Sequence, residues 1–454
     1  EYTLTSAFGA LSADVVDAAK SRVLDTLGAL VAGFGGEPCS VLRRMARGLY
    51  PGPGATIIGT TMSAPVDMAA MVNATASRYA ELNDTYHIPG KPGVHPSDVI
   101  MPLVSLGEHL ASTGPELLTA VVAAYEVCLA MAEAAPATGF DNTNFVAMGV
   151  AVGSAILLEL TEDAIRQCIS LVAVSGNALL RSRRGAASAW KSAASGHAGR
   201  AGVFAAQLAG HGMGAPSLPF SGTAGWLEVV ARQDVELALP APSESRRLLG
   251  TIIKPRAACG AAIPAVLAAE AAHRQGIDIG DITEVVVQTY RDAYRKNAVG
   301  VHHWAPSTRE TADHSIPYVV AAALMDGTVG PTQYDDRHLN SDDLRELLAK
   351  VRVEESDEFT EAYDAMPVVH RTRVTVSVAG GDVILGDSGG AFGDIADPMS
   401  NDQITAKFAG IVTPVLGRSR VDQLVGCVGT LDRAHEIGSL IALLADMETA
   451  DDQH

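Results

Sequence analysis

Over most of the first 240 positions, apolar residues recur at helical spacing. In 14–33, Val15, Val16, Ala19, Val23, Leu24 and Leu27 share one face, and Gly33 closes the run. Segments 65–79, 115–135, 145–160, 162–180 and 199–209 repeat the pattern, and two of them open on a proline, which suits a first helical turn. Strand signals are weak throughout this part. From about Leu249 the period changes. Segment 282–290 is rich in β-branched residues, and 371–378 alternates Val374, Val376 and Val378 against polar neighbours. Gly380-Gly381 then turns the chain into 382–385, a hairpin. Two helices are expected between the strands, at 316–325 and 341–348, the second capped by Ser341 with acids in its first turn. The acid-rich stretch 335–364 reads as solvated surface, and 401–444 returns to helical spacing. The expected fold is therefore mainly α with an α+β second domain. Segments 1–248 and 399–454 form an all-helical domain, and the α+β domain, 249–398, is inserted between them.

The length, 454 residues, suits two domains, and a chain that is 48% hydrophobic and 19% charged can bury a large core. Residues 1–10 have no basic stretch followed by an apolar one, so no signal peptide is expected. The apolar runs 145–158 and 169–180 are too short to span a bilayer, and no membrane partner is expected. Cys39, Cys128, Cys168, Cys259 and Cys427 are scattered, odd in number and never in C-x-x-C spacing. That suits a reducing, cytoplasmic setting and argues against a zinc or iron–sulfur centre.

A formal charge of −19 argues against nucleic acid as a partner, because neutralising phosphates needs a basic face. The charge is uneven. Segment 164–227 contains no Asp or Glu, where average usage would place about seven. It does carry Arg166, Arg181, Arg183, Arg184, Lys191 and Arg200. Buried Ala/Gly-rich helices exclude carboxylates on their own account. The same absence would also suit a patch that an anionic ligand approaches.

Chemistry concentrates in 73–102, NATASRYAELNDTYHIPGKPGVHPSDVIMP. A helix end runs into a Pro/Gly-rich loop holding Arg78, Glu81, Asp84, Thr85, His87, Lys91 and His95. Carboxylate, hydroxyl, imidazole and guanidinium together are the materials for acid–base work on an anion. A solvated loop whose polar groups cap neighbouring helices would have the same composition. Gly210-His211-Gly212-Met213-Gly214 follows a helix rather than a strand, so it reads as a helix stop and not a dinucleotide loop. His302, His303 and His314 lack a carboxylate or Cys at ligand spacing, and no metal site is expected.

Four motifs in one order resemble the MmgE/PrpD family, which includes 2-methylcitrate dehydratase, cis-aconitate decarboxylase and iminodisuccinate epimerase. Glu81-Leu82-Asn83-Asp84-Thr85, a loop, and Val94-His95-Pro96-Ser97-Asp98 resemble its D-F-(D/N)-D-T and G-H-P-S strings. Arg183-Arg184-Gly185 and Ser188-Ala189-Trp190-Lys191 resemble R-x-G-x-x-S-x-W-K, and Gly212-Met213-Gly214-Ala215-Pro216 with Pro219-Phe220 resembles G-M-T-G-P…P-F. Thr308-Arg309-Glu310-Thr311-Ala312-Asp313-His314-Ser315-Ile316-Pro317-Tyr318 is a third match. Asp397-Pro398-Met399-Ser400 with Lys407-Phe408 is a weaker fourth.

The resemblance implies a cofactor-independent lyase with its site in the cleft between a helical and an α+β domain. It implies Asp84 and Thr85 lining that site, His95 transferring a proton or holding a carboxylate, and Lys191 opposite them. Arg183 would be a second cation, with Arg78, Glu81 and Cys259 as further substrate-binding positions. The cations of the acid-free stretch would meet a multiply charged substrate with no carboxylate competing. A homodimer is expected, and a small polycarboxylate is the expected partner. Glu81 is one methylene longer than the family's acid. The family's His after a Lys near the start of the α+β domain is missing from 254–264, where Ala261 or Ile263 stands instead. Cys259, His87 and His314 are its possible stand-ins.

Such a pocket would remove a proton α to a carboxylate, with His95 or Asp84 as base and with Lys191, Arg78 and Thr85 steadying the charge that develops. If hydroxide leaves, the enzyme is a dehydratase, the branch that Arg78, Asn83 and His95-Pro96-Ser97-Asp98 favour. Loss of CO₂ would make it a decarboxylase, and return of the proton an epimerase. A scaffold that has lost its chemistry and binds a metabolite is the alternative of another class.

Overall fold

The computed structural model describes residues 1–447 apart from Arg184, Ala186, Met366, Pro367, Gly390, Ala391, Asp394 and Ile395. The chain forms two compact units, one of Glu1–Arg184, Ala189–Thr251 and Ser400–His454, the other of Gly185–Ser188 and Ile252–Met399. The first is helical apart from a pair of two-residue strands, Ala55–Thr56 and Ser63–Ala64. The second is α+β.

The helical unit is built from α1 (Ala13–Gly33), α2 (Glu37–Leu49), α3 (Val66–Tyr79), α4 (Ile100–His109), α5 (Gly114–Ala134), α6 (Thr143–Leu157), α7 (Glu162–Val174) and α8 (Trp190–Gly210). Small residues let these helices pack closely. At Gly196 on α8 a Cβ would lie 2.4 Å from the Met71 carbonyl oxygen on α3, so only glycine allows the two backbones to approach there. That crossing joins the helix carrying Arg78 to the helix whose first turn carries Lys191. The C-terminal segment returns to the same unit. Its long helix packs along α1, where Lys407 Nζ lies 2.6 Å from Asp25 Oδ1.

In the second unit, α9 (Ile263–His273) packs against a four-stranded sheet made of β1 (Ile282–Thr289), β2 (Val351–Glu355), β3 (Thr372–Val378) and β4 (Val383–Asp387), in the order β2-β1-β3-β4. β1 and β2 run parallel, with Val285 opposite Val351, and the other pairings are antiparallel. Helices α10 (Arg291–Asn297), α11 (Ile316–Asp326) and α12 (Asp342–Ala349) fill the connection between β1 and β2, and α13 (Asp357–Asp364) follows β2. Gly386 in β4 admits α9, since a Cβ there would meet the Ala268 carbonyl oxygen at 1.9 Å. The long C-terminal helix, α14 (Asn401–Gly429), is capped by the Ser400 hydroxyl and bends where Gly417 takes φ 77°.

Several expectations change. Segment 335–364 is not simply solvated surface. It holds α12, β2 and α13, and it buries Val351, Val353, Phe359 and Tyr363 between its acids. The helix expected over 162–180 ends at Val174, and the one expected over 199–209 begins nine residues earlier, at Trp190. The helix expected through 401–444 breaks at Gly429. By length and composition α5 could cross a membrane, although it was absent from the apolar runs named above. Its most apolar stretch is 89% buried, and Glu126 within it pairs with Arg247. The glycine cluster after α8 does stop that helix, with Gly212 at φ 87°. None of the five cysteines is in a disulfide.

Candidate functional site

At the end of α3 the backbone turns through Glu81, whose φ of 54° lies in the left-handed region that glycine normally takes after a helix. A side chain there costs energy, on the order of 1–3 kcal/mol, unless its contacts hold it. Those contacts are strong. Arg78 Nη1 is 2.7 Å from Glu81 Oε2, and Lys191 Nζ is 3.1 Å from the same oxygen. Arg78 and Glu81 are each 1% exposed and Lys191 is 3% exposed, so this is a buried charge cluster. His95 Nε2 lies 3.9 Å from Glu81 Oε1.

His95 is aimed by its other nitrogen. Nδ1 lies 2.9 Å from the carbonyl oxygen of Asp84. A carbonyl only accepts, so Nδ1 carries a hydrogen, and Nε2 is the nitrogen on the Glu81 side. Asp84 anchors the loop behind it. Oδ1 accepts the Ser97 N–H at 2.9 Å, and Oδ2 accepts the Tyr125 hydroxyl at 3.0 Å. Burial pushes the Asp84 carboxyl above its ordinary range, against the opposing Arg22 charge and these hydrogen bonds. Burial and the adjacent Asp84 also push Tyr125 up, so it stays a phenol and a donor. Both side-chain oxygens of Asp84 are engaged in holding the loop, and its backbone carbonyl orients His95.

Thr85 is also committed, its hydroxyl 2.8 Å from His87 Nε2. The loop between them and His95 is closed by paired backbone bonds between Tyr86 and Val94, and Lys91 Nζ donates to the Ala134 carbonyl at 3.3 Å. Behind the cluster, Asp98 Oδ2 stands 3.9 Å from Arg78 Nε, and Asn83 Nδ2 donates to Asp98 Oδ1 at 3.3 Å.

Arg183 Nε donates to Asp141 Oδ2 at 2.9 Å, and Arg183 Nη2 donates to Ser195 Oγ on α8 at 3.4 Å. Burial alone would raise Asp141. The Arg183 charge, the Ser182 hydroxyl and the Thr143 N–H together hold it below the usual carboxylate range.

The structure thus brings Arg78, Glu81, Asp84, His95 and Lys191 into one hydrogen-bonded and ion-paired assembly, while Thr85, next in the chain, is bonded to His87. It overturns the expectation that the cations of 164–227 have no carboxylate competing for them. Lys191 meets Glu81, Arg183 meets Asp141, Arg200 meets Asp67 at 2.8 Å, and Arg166 meets Glu162 at 2.5 Å. Each acid comes from outside the stretch, which is why the sequence window concealed it. Arg184 lies outside the described residues. Asp98, Tyr125 and Asp141 were not foreseen as partners. A lone Tyr in the Ala/Val/Leu-rich α5 was the available signal for Tyr125.

Cys259 belongs to the α+β unit. It is half-buried and its N–H donates to the Asp313 carbonyl oxygen at 2.8 Å. In the same unit, Ala261 and Ile263 are buried apolar residues, and Lys254 Nζ donates to the Ala258 carbonyl at 3.2 Å. His314 Nδ1 lies 2.5 Å from Asp313 Oδ1, so of the possible stand-ins it is the one oriented by a carboxylate. His302 and His303 have ring centroids 4.0 Å apart, and burial, then His302 and His314, push His303 down to about 4.

Residues 1–238 match the family model described as the MmgE/PrpD N-terminal domain, and residues 257–431 match that of the C-terminal domain. A 2-methylcitrate dehydratase from Cupriavidus necator is 25% identical over 396 residues, 81% of this chain and 79% of that protein. A cis-aconitate decarboxylase from Mus musculus is 23% identical over 475 residues, 97% and 91% of the two chains. The 2-methylcitrate dehydratase of Escherichia coli K12 is 25% identical over 376 residues, covering 76% and 75%.

Proposed function

Because this chain belongs to the MmgE/PrpD family, we propose that it is a lyase acting on a small di- or tricarboxylate by abstraction of a proton α to a carboxylate, with loss of hydroxide. The observation that carries the reading is the buried cluster around Glu81, with Lys191 and Arg78 on its oxygens and Nε2 of His95 beside it. Two similar proteins named dehydratase and decarboxylase support a lyase as the reaction class.

In this mechanism Lys191 releases its hold on Glu81 to engage a substrate carboxylate, a compact charge suited to a point contact. His95 Nε2 takes the α-proton, and the Asp84 carbonyl steadies the imidazolium through Nδ1–H. The negative charge that builds on the substrate is met by Lys191 and Arg78 in a site with little water, where each charge acts strongly. Glu81 keeps both cations in place when substrate is absent, and the proton taken up by His95 is passed to the departing hydroxide, which leaves as water. No step needs a cofactor.

Proton NMR in D₂O with a panel of citrate-like and alkylated di- and tricarboxylates tests this. A dehydratase gives a new vinyl signal with no CO₂, a decarboxylase releases CO₂, and an epimerase gives only deuterium at the α-carbon. Inertness towards the whole panel would contradict the proposal and favour a metabolite-binding scaffold.

A further inference from the structure

Asp98 lies one shell behind the cluster, fully buried. Its Oδ1 accepts from Asn83 Nδ2, but Oδ2 has no hydrogen-bond donor. Asn83 Oδ1 is a second buried acceptor without a donor. Two such acceptors within one hydrogen-bonded pair are costly, and a proton on Asp98 would supply a further donor there. Arg78 connects this acid to the site, its guanidinium reaching Glu81 on one side and standing 3.9 Å from Asp98 on the other.

The charge of the assembly therefore turns on Asp98. Arg183 is offset by Asp141, with which it is ion-paired, and Arg22 faces Asp84. Arg78 and Lys191 contact Glu81, and Asp98 stands behind Arg78. Ionising Asp98 adds one negative charge to this buried set, and keeping it neutral leaves that charge out. The groups facing Asp98 are Arg78 on α3, Arg183, Asp84 and the Ser195 hydroxyl on α8, with the Cys128 thiol on α5 pushed up in part by Asp98 itself.

We propose that Asp98 is a positioning residue for substrate anions, which acts through Arg78 and whose charge state decides whether the buried cluster attracts a polycarboxylate. The inference deepens the lyase reading and rests on it. Burial pushes the Asp98 carboxyl up to about 6, with the Arg78 charge opposing, so the change falls in an accessible pH range. Substrate affinity is strong below that pH and weakens above it. The electrostatic effect on KM is roughly tenfold, as one charge at such separations gives in a partly screened interior.

The test compares wild type with Asp98→Asn between pH 5 and 8. In wild type, KM for the substrate turned over rises roughly tenfold across pH 6. In Asp98→Asn, KM stays low and flat, and kcat keeps its own pH dependence. A KM profile unchanged by the substitution overturns the proposal. Difference infrared spectroscopy of the whole protein provides a readout without substrate. The C=O stretch of a buried neutral carboxylic acid should disappear near pH 6 in wild type and be missing from Asp98→Asn. If no substrate is turned over, the lyase reading fails while the infrared band still decides Asp98; a band absent from wild type at pH 5 overturns the inference on its own.

Discussion

The two units bury charge in different ways. In both units a carboxylate oxygen is shared by two cations. Arg371 and Arg373 converge on one oxygen of Asp387 at the edge of the sheet, with all three side chains 28–30% exposed. In the helical unit Arg78 and Lys191 share one oxygen of Glu81 with every side chain at most 4% exposed, a third group stands near its second oxygen, and Asp98 sits behind. Water screens the open set. The buried shared carboxylate leaves its cations with an alternative, and an arriving substrate carboxylate can take it. This difference in burial is what supports the Glu81 cluster as the proposed site, more than the number of charged residues it contains.

Two substitutions separate these behaviours. Arg256→Met removes the main partner of Glu270, a carboxylate that is 1% exposed, so stability should fall by about 3 kcal/mol near neutral pH, and by less at acid pH, where the unpaired carboxylate can take a proton. Chemical denaturation at several pH values measures both. A loss below about 0.5 kcal/mol would mean that Arg256 is no more than a surface contact.

Asp98→Asn should act in the opposite way, altering the pH dependence more than the maximum. The folded-state affinity of Asp98 for its proton is raised, to about 6, so its contribution to stability is complete below the ordinary carboxylate pKa and is lost as pH rises through 6. Relative to Asp98→Asn, wild type should therefore lose stability between pH 4 and 7, by at most roughly 3 kcal/mol. Parallel stability curves for the two proteins would contradict the assignment of a buried, neutral Asp98.

Much of the fold was legible because the apolar period is clear: α1, α3, α5, α11, α12 and the β3–β4 hairpin all lie where the spacing places them. The elements it missed have physical reasons. α9 is buried nearly all round and rich in alanine, so no polar face marks it. α4 follows a short 3₁₀ turn, Pro96–Val99, directly out of the loop and reads as its continuation. β2 has two buried valines between charged residues, too few to stand out in an acidic stretch. Within the site, the loop residues and Lys191 were legible as chemistry. Their partners were not, because Tyr125 meets Asp84 across 41 positions and Asp141 meets Arg183 across 42, separations that only helix packing closes.

The central claim is that the Glu81 cluster performs the proton transfer. Its most direct test is the initial rate of α-proton exchange or elimination in Lys191→Ala and His95→Asn, alongside Arg166→Ala as a control. Arg166 lies in the same acid-free stretch, but its side chain is exposed and pairs with Glu162 on its own helix. The account predicts that the first two lose two to four orders of magnitude in kcat/KM while remaining folded, and that the control keeps wild-type activity. Full activity in folded Lys191→Ala and His95→Asn would contradict it.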